Sequence, residues 1–343
     1  MILQSLKATI TMTTQCTNTD KYLVVIVGPT ASGKTDLAIE IAKELGTEIV
    51  SADSRQVYKG MKIGTAAPTD EQLAAVPHHL VAIKELTDNY TAGLYEKDAL
   101  EAIAKIHEKN DCAVLVGGSG MYIDIVCDGI DDIPATPPHI REELTAMMNQ
   151  QGLESLVAKL EELDPEYSQK VDRENPNRVM RALEVCLVTG KTYTSYRTGV
   201  KRERPFKIIK IGIDVEREIL YERINKRVDL MVEQGLVEEV KSLYEYKNLN
   251  SLNTVGYKEL FAHFDGEITE YEAIELIKRN SRRYAKRQLT WFRRDADIQW
   301  FAKKDSKNIK KVVKKLVENK KDSIFAPSNK GSEVGDSDGE SLE

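Results

Sequence analysis

The feature that most constrains the fold is a glycine-rich octapeptide between an apolar run and an amphipathic segment. It matches the pattern G-x-x-x-x-G-K-[ST] and reads Gly28-Pro29-Thr30-Ala31-Ser32-Gly33-Lys34-Thr35. The preceding run, Tyr22–Val27, is rich in Val and Ile and stops at glycine, which is typical of a buried parallel strand. Apolar residues then recur at helical spacing up to Gly46, so the octapeptide joins a strand to a helix.

A glycine-rich junction of this kind predicts a phosphate-binding loop. Glycines let main-chain N–H groups turn toward phosphate oxygens, and the helix N-terminus adds partial positive charge. Lys34 would neutralise a distal phosphate, and the Thr35 hydroxyl would hold Mg²⁺. The alternative, a glycine turn that only caps an ordinary helix, is rejected because the flanking strand and helix supply the context that a phosphate loop requires.

Further apolar runs extend this pattern into an alternation of strands and helices. The alternation predicts an α/β fold, a P-loop NTPase-like parallel sheet flanked by helices on both faces. We predict strands at 48–53, 112–116 and 207–213, and helices over 92–108, 216–245 and 270–292.

Three prolines within 131–138 interrupt this alternation, and from there to residue 204 only helical periodicity recurs. This segment is therefore predicted to be an all-helical insertion domain. Both ends of the chain have compositions typical of disorder. The predicted parts are a disordered leader (1–20), a P-loop α/β core with C-terminal helices (21–130 and 205–302), the insertion (131–204) and a charged, disordered tail (303–343).

Composition excludes several classes of protein. With 41% apolar residues, 30% charged residues and a net charge of −6, the chain is typical of a soluble globular protein. No window approaches the roughly 18 apolar residues that a membrane span needs. Its four cysteines are scattered without a C-x-x-C pair, which favours a reducing, cytoplasmic setting over a disulfide-built secreted one.

Asp53 lies at the carboxyl end of the strand predicted at 48–53. Ligands of open α/β sheets bind at the carboxyl ends of the strands, so Asp53 would face the phosphate loop as a metal ligand or general base. The alternative is an aspartate that caps the next turn. The strand at 112–116 instead runs into glycines, without the acid that an ATPase or kinase would use to hold Mg²⁺.

A segment near the C-terminus, which we call the basic block, is strongly basic, although the net charge of the chain is negative. Residues 278–294 contain eight Lys or Arg and no acid, and Tyr284, Trp291 and Phe292 are interleaved with them. Phosphate-binding cations beside aromatic rings are typical of an RNA-binding surface. A solvated helix face with ordinary core aromatics is an equally open interpretation of the block alone.

Taken together, these stretches resemble the tRNA dimethylallyltransferase family, also called tRNA isopentenyltransferases, of the bacterial type. The resemblance spans about residues 22 to 301. It rests on Gly28–Thr35, Ser51–Met61, Ile63–Ala66, Pro77–Leu80, Val116–Tyr122, Asn175–Glu184, Arg227–Met231, Val255–Lys258 and Ala285–Arg293.

The resemblance implies transfer of a dimethylallyl group from dimethylallyl diphosphate to the exocyclic amine of the adenosine 3′-adjacent to a tRNA anticodon, with release of diphosphate. It implies that residues 28–35 cradle the diphosphate, that Lys34, Arg227 and Thr35 with Mg²⁺ stabilise it, and that Asp53 takes the amine proton. The tRNA contacts that it implies are Asp53, Ser54, Arg55, Gln56, Ser119, Arg141, Asn177, Arg178, Val179, Met180, Arg181, Asn253, Thr254, Val255, Gly256, Tyr257, Lys258, Lys286, Arg287, Gln288, Leu289, Thr290, Trp291, Phe292 and Arg293.

The expected partners are thus the anticodon stem-loop of tRNA and dimethylallyl diphosphate. We expect the protein to act as a monomer and not to bind a membrane. The target base must leave its stack to reach a channel, and the helical insertion would grip the anticodon stem. Three alternatives remain open: prenylation of free adenine nucleotides, a small-molecule kinase, and an NTP-gated RNA-binding module without transfer chemistry.

Overall fold

A parallel six-stranded sheet forms the centre of the computed structural model, which describes residues 21–302 and 305–318. The strands, in chain order, are β1 (Tyr22–Val27), β2 (Ile49–Ala52), β3 (His78–His79), β4 (Cys112–Gly117), β5 (Lys207–Asp214) and β6 (Gln299–Ala302). Their order across the sheet is β3-β2-β4-β1-β5-β6, and every neighbouring pair is parallel. The predicted α/β fold with a P-loop-like parallel sheet is confirmed.

Helices cover both faces of this sheet. They are α1 (Lys34–Leu45), α2 (Asp70–Ala75), α3 (Ala92–Lys109), α4 (Gly120–Asp128), α5 (Pro138–Gln151), α6 (Leu153–Leu163), α7 (Pro165–Lys170), α8 (Pro176–Thr189), α9 (Tyr193–Tyr196), α10 (Arg217–Glu233), α11 (Leu236–Ser242), α12 (Tyr257–Phe264), α13 (Glu270–Phe292) and α14 (Ser306–Glu318), with 3₁₀ turns at Tyr244–Tyr246 and Asn250–Leu252. In the described residues, none of these helices is both long and apolar enough to cross a membrane.

The central strand β1 is buried along its whole length, and its alternating side chains enter two different cores. Leu23 and Val25 belong to the cluster that contains Tyr95 of α3. Val24 and Ile26 pack into the cluster formed with α1 on the opposite face. Burial on both faces explains why this strand is a continuous apolar run in the sequence.

The helix predicted over 216–245 is interrupted in the structure. Gly235 has a φ of 97°, a left-handed conformation that ends α10 and turns the chain into the short helix α11. The periodicity on either side of this glycine is correct, but the prediction of one long helix is wrong. The helix predicted over 270–292 is confirmed as α13.

Between α4 and β5 the chain is helical, as the periodicity predicts. Helices α5 to α9 surround an apolar cluster of their own, which includes Leu144, Leu156, Leu160 and Leu183. Helix α8 begins at the predicted N-cap Asn175, whose side chain accepts the N–H of Arg178 at 3.3 Å.

Part of the predicted disordered tail is ordered. Helix α14 packs Ile309 and Val313 against the α1 side of the sheet, and the Lys310 ammonium lies 3.0 Å from the Glu40 carboxylate. The prediction of disorder over 303–343 is therefore wrong for these residues. Ile309 and Val313 are four residues apart and form an apolar stripe on α14, but the lysines around them give this segment the composition of a charged tail. The predicted leader and the tail beyond residue 318 lie outside the described residues.

Candidate functional site

The carboxyl ends of β1, β2 and β4 open into one cavity of about 820 Å³. Its walls come from the octapeptide after β1, the turn after β2, the loop 62–72, and the facing sides of α10 and α13. This is the edge of a parallel sheet at which open α/β folds bind ligands. Asp53 and the octapeptide line the same cavity, as the sequence predicts.

The octapeptide is shaped to receive an anion. Ala31 and Gly33 have φ values of 63° and 85°, which turn the main chain around the entrance to α1. Gly33 is the N-cap of α1 and supplies no side-chain cap, so the first N–H groups of the helix remain available. The buried Ser32 hydroxyl has no hydrogen-bond partner among the described residues. A phosphate oxygen is the complement that these donors lack.

Two cations converge on this loop. The Lys34 ammonium lies 3.3 Å from the Pro29 carbonyl oxygen, and burial together with the Arg227 charge lowers the pKa of Lys34 to about 8, against the opposing effect of Asp53. Arg227 reaches in from α10 and donates to the Thr30 hydroxyl at 3.3 Å; burial lowers its pKa too. Neither cation forms an ion pair with a residue in 21–302 or 305–318, so the site presents positive charge to a ligand.

The cavity also contains a hydroxyl oxygen that could bind Mg²⁺, that of Thr35. Thr35 lies in the first turn of α1 and lines the cavity beside the loop. The described residues contain no group of three or more His, Cys, Asp or Glu placed to hold a metal ion. Mg²⁺ commonly takes only one or two protein oxygens and completes its shell with substrate phosphates and water. Thr35 next to a phosphate loop fits that manner of binding.

Asp53 caps a turn and also lines the cavity. Its Oδ1 accepts the N–H groups of Arg55 at 2.9 Å and of Gln56 at 3.3 Å, so it does cap the turn after β2. The carboxylate nonetheless lines the cavity and acts electrostatically on Lys34. Capping through one oxygen fixes the orientation of the carboxylate and leaves Oδ2 for a substrate.

Several predicted RNA contacts belong to the part of the cavity around the turn after β2, which we call the acceptor end. The Ser54 N–H donates to the Ser119 hydroxyl at 3.0 Å, which joins the turn after β2 to the turn after β4. The Gln56 amide donates to the carbonyls of Thr65 and Ala66, both at 3.1 Å. Ser54, Gln56, Thr65 and Ala66 line the cavity, and Ser119 holds Ser54 in place.

Arg55 binds the main chain of a distant segment, a contact that the motif around it does not predict. Its guanidinium donates to the carbonyl oxygens of Asn250 at 2.7 Å, Ser251 at 3.0 Å and Asn253 at 3.3 Å. It thereby pins the segment 250–256, which includes the cavity-lining Thr254 and Val255. Its donors are directed at the main chain of the protein.

The structure buries some side chains that the resemblance implies as tRNA contacts. Val179 and Met180 lie in the core of helices α5 to α9, and Tyr257, Gln288 and Phe292 are at most 6% exposed. These five side chains therefore do not face solvent in this structure, although Gln288 lines the cavity, and tRNA contact at these positions stays a prediction. The physical reason for their burial is that a motif runs along a helix, whereas only one face of the helix reaches solvent.

The other predicted contacts differ in exposure. Arg141 and Arg181 both pair with the buried Glu184, at 3.0 and 3.2 Å. Gly256 is buried, whereas Thr254, Val255, Leu289 and Trp291 are partly buried. Trp291 donates to Asp124 at 2.9 Å. The exposed ones are Arg141, Asn177, Arg178, Asn253, Lys258, Lys286, Arg287, Thr290 and Arg293.

The basic block divides into paired and unpaired cations. Lys278 pairs with Asp229 at 2.7 Å and with Glu275 at 2.9 Å. Four exposed cations of α13 form no ion pair with the described residues, and their spacing puts them on one side of the helix: Arg279, Arg283, Lys286 and Arg287. We call these four residues the basic face of α13. It meets the cavity at Arg287.

One anchor of the site has no signal in the sequence. The Glu239 carboxylate accepts the N–H groups of Lys62 at 3.0 Å, Ile63 at 2.7 Å and Gly64 at 2.9 Å, and the Tyr257 hydroxyl at 2.7 Å. These four donors fasten the loop that walls the cavity beside Gln56. Nothing in the residues around Glu239 indicates a partner some 175 positions away in the chain.

Fold and site together define a P-loop α/β protein in which a phosphate site, a fixed carboxylate and a basic helix share one cavity. The family model described as IPP transferase matches residues 56–295. The chain belongs to this family.

Individual relatives agree with the family model. The tRNA dimethylallyltransferase 1 of Phocaeicola vulgatus is 54% identical over 279 residues, which cover 81% of this chain and 93% of the relative. The crystal structure of the full-length tRNA isopentenylpyrophosphate transferase from Bacillus halodurans is 40% identical and superposes with a TM-score of 0.64, covering 87% of this chain and 97% of that one. A eukaryotic dimethylallyltransferase acting on tRNA shares the fold, with a TM-score of 0.76 at 24% identity over 88% of this chain and 81% of that one.

Proposed function

We propose that this protein transfers a dimethylallyl group from dimethylallyl diphosphate to the exocyclic amine of the adenosine 3′-adjacent to the anticodon of tRNAs, and releases diphosphate. The observation that carries the proposal is the shared cavity, in which Lys34 and Arg227 face Asp53. The names of the curated relatives, tRNA dimethylallyltransferases, support the choice of both substrates.

The position of each group in the cavity supports a specific part for it in the transfer. The amine nitrogen attacks the first carbon of the allyl group, the bond from that carbon to the diphosphate oxygen breaks, and its electron pair leaves with the diphosphate. Lys34, Arg227 and the N–H groups at the start of α1 stabilise this developing charge. The nitrogen loses its proton to Asp53, whose orientation is already fixed by the turn that it caps.

Mg²⁺ bound through the diphosphate would add charge neutralisation at the leaving group, held on the protein side by the Thr35 hydroxyl. The remaining catalytic work falls to side chains of the cavity. Because Lys34 and Arg227 are desolvated, their charges act on a diphosphate more strongly than exposed cations would.

The end of β4 argues against phosphoryl transfer from a nucleoside triphosphate. A side chain at Gly117 would place its Cβ 2.0 Å from the Ala52 carbonyl oxygen, and one at Gly118 would lie 2.3 Å from the Gln288 amide nitrogen. At Gly117 the obstacle is main chain, so no acid fits there without moving the backbone, whereas at Gly118 the obstacle is the end of the Gln288 side chain. The strand-end carboxylate that a kinase or ATPase would use for Mg²⁺ has no room at Gly117.

On the RNA side, the basic face of α13 would bind phosphates near the cavity, and the exposed Asn177 and Arg178 of α8 would contact the anticodon stem. The adenine must be extruded from its stack to reach Asp53. We place this reaction in a monomer in the cytoplasm. The free, buried cysteines Cys112, Cys127 and Cys186 agree with a reducing compartment.

The proposal is tested by incubating the protein with labelled dimethylallyl diphosphate, Mg²⁺ and unmodified tRNA that carries adenosine 3′ to the anticodon. We expect label in the RNA. A matched RNA with purine riboside at that position, which lacks the amine, should stay unlabelled. Equal labelling of AMP or ATP would favour a nucleotide prenyltransferase, and transfer of a γ-phosphate to an acceptor would favour a kinase.

A further inference from the structure

One buried amide joins helix α13, which carries the basic face, to the phosphate loop. Gln288 of α13 is 6% exposed, and both ends of its side-chain amide are used. Its Oε1 accepts the N–H of Thr30 at 2.9 Å, and its Nε2 donates to the carbonyl of Gly118 at 2.9 Å. The same side chain thus touches the loop after β1 and the turn after β4.

The phosphate loop needs such support at this point. The next residue, Ala31, has a φ of 63°, which is unfavourable for a residue with a side chain. Ala31 is buried and belongs to an apolar cluster with Ala285 of α13 and Ile224 of α10. Helix α13 therefore holds the loop through a packing contact at Ala31 and a hydrogen bond to Thr30.

The bridge also depends on the glycine opposite. A Cβ at Gly118 would lie 2.3 Å from the Gln288 amide nitrogen and 3.7 Å from the Lys34 ammonium. The amide therefore occupies space next to the catalytic lysine that only a glycine leaves open. A shift of α13 along its axis would change the position of the loop that binds the diphosphate.

The opposite side of α13 is the side to which the proposed function assigns RNA. Its basic face, defined above, is exposed, and Arg287 is the immediate neighbour of Gln288. One turn further on, the Trp291 indole donates to Asp124 at 2.9 Å and fastens the end of the helix to α4. The helix is fixed at this end, and Gln288 contacts the loop. A change in the position of α13 when RNA binds on one side would therefore also change the position of the loop on the other side.

We propose that Gln288 is a positioning residue that couples diphosphate binding at the loop to RNA binding on α13. The inference rests on the proposed function, because that function puts RNA on the basic face. By thermodynamic linkage, bound RNA then strengthens diphosphate binding, and diphosphate strengthens RNA binding by the same factor.

The test is a set of equilibrium binding measurements that need no transfer chemistry. The ligands are inorganic diphosphate with Mg²⁺ and an anticodon stem-loop RNA, each titrated alone and in the presence of the other. We expect RNA to tighten diphosphate binding by about fivefold or more in the unchanged protein, the lower end of typical coupling factors. The reciprocal titration must give the same factor.

Two variants separate coupling from a general structural role. Gln288→Met removes both hydrogen bonds, so its coupling factor should fall to about one while its affinity for RNA alone stays within about twofold. Gln288→Glu keeps the acceptor for Thr30 but loses the donor to Gly118, and should retain part of the coupling. Gln169→Met, at an exposed glutamine of α7, is the matched control and should keep the full factor.

A coupling factor near one in the unchanged protein, or an undiminished factor in both Gln288 variants, overturns the proposal. If Gln288→Met does not fold, Gln288→Glu alone decides, because a factor equal to that of the unchanged protein contradicts the assigned bridge. Loss of transfer with intact coupling would instead refute the proposed function and leave the role of Gln288 standing.

Discussion

The two ends of the cavity are built in different ways. The phosphate end comes mainly from eight consecutive residues and the start of one helix, and its donors are largely main-chain N–H groups. Arg227 of α10 adds a cation to it from a distant segment. The acceptor end is assembled entirely from distant segments, such as Arg55 on the carbonyls of 250–253 and Ser54 on Ser119. Most of the leaving-group site is thus encoded locally, whereas an RNA-accepting wall exists only after the whole chain has folded.

Asp53 stands where the two ends meet, so its substitution should have the largest effect. Asp53→Asn keeps an Oδ1 that can cap Arg55 and Gln56 but loses the basic carboxylate. We expect single-turnover transfer to slow by about 10²- to 10⁴-fold, the usual range for a general base, with an unchanged melting temperature. Transfer within threefold of the unchanged protein would reduce Asp53 to a turn cap.

Arg227 tests the phosphate end alone. Arg227→Gln removes one of two desolvated cations and should lower kcat/KM for dimethylallyl diphosphate by about 10²-fold, since charge stabilisation of a leaving group contributes on that scale. The exposed neighbour Lys226 provides the control, and Lys226→Gln should stay within twofold of the unchanged protein. Equal losses in the two variants would show that general positive charge, rather than the position of Arg227 in the cavity, supports the reaction.

The pH dependence of kcat/KM tests the role of Lys34 at the phosphate end. Lys34 has a pKa of about 8, so its charged form prevails below pH 8 and is lost above it. We expect kcat/KM for dimethylallyl diphosphate to fall by up to about tenfold per pH unit above that value. Under saturation the decline should begin at higher pH, because bound diphosphate favours the charged lysine. Lys34→Arg should remove the decline, and a flat profile up to pH 10 in the unchanged protein would contradict the assignment.

The basic face of α13 belongs to the acceptor end, where single charges contribute less. The double change Arg279→Gln and Arg283→Gln should weaken RNA binding by about three- to tenfold and make its logarithmic salt dependence shallower by roughly 0.7 for each lost phosphate contact. Dimethylallyl diphosphate should keep its KM. Lys278→Gln, at a lysine already paired with Asp229 and Glu275, should change RNA affinity less. An equal loss in both proteins would remove the distinction between paired and unpaired cations.

This contrast explains which parts of the molecule the sequence predicts. The β1 strand, the octapeptide and the stop of α1 at Gly46 follow from local apolar runs and glycines, and the structure places them within a residue of the prediction. The break at Gly235 and the helix α14 were missed because each depends on weak local signals: a single glycine, and an apolar stripe among lysines.

The candidate site shows the same limit. The sequence brings Asp53 and Lys34 to one sheet edge, because parallel strands share their carboxyl ends. It does not show that Gln288 and Phe292 face inward while Arg283 and Arg287 face outward. The wall held by Glu239 is also invisible in the sequence, since it depends on hydrogen bonds to the main chain of a remote loop.

The claim that the two ends serve one reaction is tested most directly by a crystal structure of the protein with an unreactive thio analogue of dimethylallyl diphosphate and an anticodon stem-loop. The account predicts the diphosphate group in residues 28–35, with Lys34 and Arg227 in contact. It also predicts an extruded adenine whose amine lies within about 3.5 Å of both the first allyl carbon and the Asp53 carboxylate. An adenine that stays stacked in the RNA, or a diphosphate bound outside the loop, would contradict it.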